Sequence, residues 1–131
     1  MTLSALDDVL RRAFHVRLVE VHASRAVVVD LGRGERDRLR AVMAVQSLAG
    51  MGCACMGDVR FEILDARRER LAVVLLHHGI TLAWGDWNGH AVLKNGTALL
   101  RWLSEHGLSK APRKAAETQS WQEVADRLLN A

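Results

Sequence analysis

Between Val59 and Trp84 the chain carries three apolar runs whose separating turns are too short to hold a helix, and no other feature restricts the fold as much. Val59, Phe61 and Ile63 alternate with Arg60 and Glu62, with Asp65 beyond. This is the two-residue period of a strand with one wet face. The polar stretch Asp65–Arg70 turns the chain, and Leu71 to Leu76 is apolar on both faces, as a central strand is. Ile80, Leu82 and Trp84 then alternate again. Successive strands joined by such short turns pair antiparallel.

The flanking sequence supplies helices and a further hairpin. Leu3, Leu6, Leu10 and Ala13, with Val9 beside them, recur at helical spacing, so residues 3–13 read as an amphipathic helix. Val16–His22 and Arg25–Leu31 are β-branched and apolar around a short Ala23–Ser24 break, which predicts a hairpin. A second helix is expected over 35–49, with Leu39, Val42, Met43, Gln46 and Ala49 down one side and Gly50 and Gly52 ending it. Gly96 to His106 reads as a third, closed by Gly107. Residues 108–119 are weakly patterned and hold the one proline, Pro112. Ser120 with Glu123 three residues on forms a capping box for a last helix, whose Trp121 is expected to pack on the body of the domain. The expected fold is therefore one α+β domain over 1–131. It has an antiparallel sheet of about five strands, order αββαβββαα, with helices packed on one face.

Composition narrows the setting. A chain of 131 residues, half apolar and a quarter charged, can bury a core without disulfide or metal, and is not disordered. Its longest strictly apolar run, Leu71–Leu76, is far below the roughly 20 residues that span a bilayer. Asp7 and Asp8 interrupt the first apolar stretch, so no secretory signal is read and a cytoplasmic location is expected. The two cysteines, Cys53 and Cys55, are too close for an unstrained bridge, and free thiols suit a reducing compartment.

The candidate chemistry lies at one end of the sheet. If the 65–70 turn is centred near residues 67–68, Val59 faces Leu76 and Asp58 faces His77. The loop Met51-Gly-Cys-Ala-Cys-Met-Gly-Asp58 and the turn His77-His78-Gly79 then become neighbours. Thiolate and imidazole are ligands for zinc or a softer metal, so Cys53, Cys55, His77 and His78 are candidate ligands, with Asp58 orienting a histidine. The C-x-C spacing is tighter than the usual C-x₂₋₄-C. A redox-sensitive thiol activated by a histidine is a second use of the same residues. A Cys–His nucleophile oriented by Asp58 is a third, but no oxyanion element or nucleophile motif accompanies it, and no catalytic residue is assigned. The plain alternative is that the cysteines are small buried hydrophobes and the histidines a polar turn.

Trp84-Gly-Asp-Trp87-Asn-Gly-His90 is a glycine-rich loop with two tryptophans. Exposed, Trp84, Asp86, Trp87 and His90 would make a protein-binding hot spot or a cleft for a planar ligand. The alternative is that Trp84 ends a strand facing the core while Trp87 caps the sheet edge. Three basic clusters (Arg36, Arg38 and Arg40; Arg67, Arg68 and Arg70; Lys110, Arg113 and Lys114) are interleaved with acidic residues and read as solvated surface. With a formal charge of only +3 and no nucleic-acid motif, a nucleic-acid partner is not expected. Gly32-Arg-Gly34 ahead of a helix has neither the lysine nor the spacing of a nucleotide loop.

Residues 51–107 resemble a group of small uncharacterised bacterial domains. The likeness is carried by Cys53-Ala-Cys55-Met-Gly-Asp58, by His77-His78-Gly79, by Trp84 and Trp87, and by Ala98-Leu-Leu-Arg-Trp-Leu103. The resemblance implies no reaction. The sequence thus predicts a non-enzymatic binding domain of the bacterial cytosol, an immunity-type or regulatory module with a protein partner or a second copy of itself. The other expectation is a zinc-binding or thiol-responsive site.

Overall fold

The computed structural model describes residues 2–23, 25–50 and 57–129. It is an α+β fold in which seven antiparallel strands form one open sheet, two more than the sequence predicts. In chain order the elements are α1 (Ala5–Arg11), β1 (His15–Glu20), β2 (Arg25–Asp30), α2 (Arg33–Val42), β3 (Val45–Gly50) and β4 (Val59–Leu64). They continue with β5 (Arg70–His77), β6 (Thr81–Trp84), a 3₁₀ turn (Gly85–Trp87), β7 (Gly89–Leu93), α3 (Gly96–Glu105) and α4 (Lys110–Leu129). Across the sheet the order is β2-β1-β4-β5-β6-β7-β3.

The predicted meander is present, and its register is the expected one: Val59 pairs with Leu76. The β1–β2 hairpin also stands where the sequence puts it. Both additional strands come from segments assigned otherwise. The expected helix 35–49 stops at Val42, and Val45–Gly50 pairs instead with β7. Val45 and Ser47 are modest helix formers, and the open edge of β7 offers their backbone groups partners that outweigh a marginal helical stripe. β7 begins at the end of the expected 84–90 loop and runs on through residues to which the sequence assigns no element, its alternation hidden because His90 and Ala91 are weak strand signals. At the C-terminus one helix runs unbroken from Lys110, so the Ser120–Glu123 pair lies inside it and starts nothing. Pro112 is accommodated in its first turn, where the missing N–H has no intrahelical partner to lose.

Pairing divides the sheet into two faces. Val16, Leu18, Val59, Phe61, Ile63, Val74, Leu76, Leu82 and Ala91 lie on one, all fully buried. They share a single apolar cluster with Leu6 and Leu10 of α1, Leu39 of α2, and Leu99, Trp102 and Leu103 of α3. Burial of these side chains, worth roughly 1.5–3 kcal/mol each, fixes the helices over this face. The opposite face carries Arg17, Arg60, Glu62, Val73, Leu75, His77, Ala83 and His90. Val73, Leu75 and Ala83 on it are only partly buried. The wet face is not uniformly wet: Glu62, expected in solvent, is 7% exposed.

Candidate functional site

His77 closes β5 and His90 is the second residue of β7, the two strands separated by β6, and the pleat turns both rings to the open face. Their centroids lie 4.5 Å apart, and they are 3% and 8% exposed respectively. The hydroxyl of Thr81, two strand positions from Ala83 on β6, lies 2.9 Å from His90 Nδ1. That contact holds the ring through Nδ1 and leaves Nε2 as the other nitrogen. Burial, then the neighbouring His90 and His78, push His77 below the ordinary imidazole range, with Asp58 pulling the other way. At neutral pH His77 is therefore the uncharged imidazole, the form that donates a lone pair.

Asp58 reaches this end of the sheet as the register requires, its amide bonded to the Leu76 carbonyl at 2.7 Å. Its Oδ2 accepts from the His78 amide at 2.8 Å, and its Oδ1 lies 3.2 Å from Lys114 Nζ of α4. Burial raises the Asp58 pKa, but the His78 amide and the Lys114 ammonium outweigh it and hold the carboxyl below its ordinary value. Asp58 thus ties the His77–His78 turn to α4. His78 occupies the left-handed backbone region at φ 56° and is exposed, its ring centroid 6.5 Å from that of His77.

Cys53 and Cys55 lie outside the described residues, as does the remainder of 51–56. The residues that bracket them are described. Gly50 pairs with His90 across the β3–β7 ladder. At Gly57, with φ +82°, a Cβ would stand 3.0 Å from the Leu76 carbonyl oxygen and 3.4 Å from His77 Nε2. Only glycine lets the backbone pass that closely in that conformation. Among the described residues no three His, Cys, Asp or Glu side chains converge on one metal position.

The tryptophan loop is built differently from an exposed hot spot. Trp84 and Trp87 are 7% and 8% exposed, packed edge to face with centroids 5.2 Å apart at 83°. Trp87 Nε1 donates to the Thr2 carbonyl at 3.2 Å, pinning the start of the chain to the 3₁₀ turn. What remains at the surface is Gly85, Asp86 and Asn88. Trp84, Gly85, Asn88, Gly89 and His90 nevertheless wall one side of a shallow hollow of ≈ 320 Å³ floored by Val73, Leu75 and Ala83.

Two clusters escape a reading of the sequence. Glu35 Oε1 accepts from Trp102 Nε1 at 2.6 Å and lies 3.1 Å from His106 Nε2, while the Trp102 and His106 rings stack with centroids 4.1 Å apart. The four-residue separation of Trp102 and His106 on one helix could have revealed half of this. Glu62 gathers Arg17, Arg60 and Arg70 from three strands, and nothing in the sequence pairs them. Comparison with protein-family models, with curated proteins and with solved structures returns no match to this chain.

Proposed function

We propose that the protein binds a borderline or soft metal ion such as zinc through Cys53, Cys55, His77 and His90. One observation carries the reading. The two described ends of the segment holding both cysteines stand beside the two histidines, Gly50 paired with His90 and Gly57 against His77 Nε2. Two thiolates and two imidazoles form a ligand set that zinc takes tetrahedrally. His90 replaces His78 in the set expected from sequence, because its ring shares the open face with His77. Thr81 then acts as the outer partner that orients a ligating imidazole, and Asp58 as the anchor of the His77 turn. Elemental mass spectrometry of untagged, reduced protein is expected to find close to one metal ion per chain. The ion should be lost in a Cys53→Ser, Cys55→Ser double variant and in His90→Ala, and retained in His78→Ala. A folded, metal-free chain whose thiols alkylate equally fast with and without added zinc would overturn the reading.

A second reading, an immunity-type or regulatory protein-binding module of the bacterial cytosol, is favoured by the hollow over Val73, Leu75 and Ala83. Its walls come from the very loop the sequence singles out, although through backbone and His90 rather than exposed tryptophans. Filling the hollow with Ala83→Arg is expected to abolish capture of a saturable partner from the native host while leaving the thermal midpoint unchanged. Undiminished capture would exclude this face.

A further inference from the structure

Glu62 stands on β4 with its side chain on the open face, surrounded by three guanidiniums. Arg17 Nη1 donates to Oε2 at 3.0 Å, while Arg60 Nε and Arg70 Nη2 lie 4.0 and 3.8 Å from Oε1. One carboxylate offsets one of three positive charges. Asp30 of β2, on the same face two strands away, is held 2.6 Å from His15 Nδ1. Arg60 Nε is buried and has no hydrogen-bond acceptor among the described residues, so the cluster is short of anionic oxygen as well as of negative charge. The three arginine side chains keep between 40% and 63% of their surface in solvent.

Register places this excess charge against the hollow. Arg60 pairs with Leu75, and Glu62 with Val73, so the β4 positions that carry this charge lie beside the strand that floors the depression. Ala83 lies one strand further on. Strands are spaced about 4.8 Å apart, which puts the Arg60 backbone roughly 5 Å from Leu75 and roughly 10 Å from Ala83. That separation matches side chains one to a few residues apart on an extended or helical segment.

We propose that this face, from β1 through β6, binds an acidic segment of a partner protein. An apolar side chain enters the hollow over Leu75 and Ala83, and neighbouring carboxylates meet Arg60 and Arg70. The proposal rests on the protein-binding reading above and adds the chemistry of the partner. A nucleic acid suits the site less well. The buried Glu62 at its centre repels a continuous phosphate backbone, and the tryptophans that could stack on bases are turned inward.

The test is selection of short random peptides displayed on phage against the whole protein. Enriched peptides are expected to place Asp or Glu close to Leu, Ile or Phe. Their affinity should fall about three- to tenfold in an Arg60→Gln, Arg70→Gln double variant of unchanged thermal midpoint, and should weaken as salt is raised. They should also fail to bind Ala83→Arg. Peptides of neutral composition, lost in Ala83→Arg but indifferent to the arginine variant, would overturn the acidic partner and leave the hollow as a protein site. Peptides indifferent to both variants, or no enrichment at all, would overturn both statements. An oligothymidine strand that binds through the same arginines more tightly than any selected peptide would assign the face to nucleic acid instead.

Discussion

Asp7 carries more of the helical layer's alignment than its place in a first turn announces. Its two oxygens accept from Arg40 Nε and Nη2 at 2.9 and 3.0 Å, a fork that joins α1 to α2, and Arg11 Nε adds a contact at 3.2 Å. The hydrogen bond from Arg40 leads in holding the Asp7 carboxyl below its ordinary value, with Arg11 assisting and burial opposing. A carboxyl whose folded pKa is depressed stabilises the fold above its unfolded value, near 4, and loses that contribution as pH falls through the folded value. Asp7→Asn is therefore expected to cost about 0.5–1 kcal/mol at pH 7, the modest worth of a partly exposed pair. The cost should shrink as pH falls below about 4, and urea unfolding at pH 7 and at about pH 3 checks it. A cost that is the same at both would mean that Asp7 acts through packing rather than charge. Little at this scale is legible in the sequence. Arg40 reads as one of a solvated arginine run, and Glu62 as one of a row of wet residues, because their partners arrive from other elements.

Among the elements, β3 is the one the sequence conceals and the one most open to a neighbour. It is an edge strand of Val45-Gln-Ser-Leu-Ala-Gly50, with no charged residue and no proline, and Leu48 is 50% exposed. Edge strands usually carry a charge or a proline that discourages pairing with another chain. Among the described residues, the irregular register against β7, shifted at two places, is the protective device at this edge. Leu48→Lys is expected to leave the melting temperature nearly unchanged while delaying light scattering on heating. Equal scattering from both proteins would show that this edge does not nucleate association. The strands legible from sequence are those with a two-residue alternation or an apolar, β-branched run between short turns, β1, β2, β4, β5 and β6. β3 and β7 are mixed in character, and β3 is a strand because β7, itself paired with β6, is there to receive it. The same dependence separates the sites: β4–β5 register was readable through a hairpin turn, whereas the His77–His90 contact needs a strand that local pattern does not reveal.

Taken as a whole, the molecule is a sheet with one face spent on its core and the other carrying a histidine pair, a hollow and an arginine-ringed carboxylate. The class of fold was legible because burial on one face imposes alternation, and alternation survives in sequence. The contents of the opposite face were not, since no core demand shapes them. The chain's route through the sheet has a further effect. The first fifty residues lay down β2 and β1 towards one border and β3 at the other, and β4 to β7 then fill the gap between them. During synthesis β3 must wait, its backbone groups without their ladder, until Leu93 of β7 has left the ribosome, a delay on the order of seconds. The sheet therefore closes late and from the β2–β1 border towards β3, and a nascent chain halted before residue 93 exposes the same uncharged strand that the finished protein leaves at its rim.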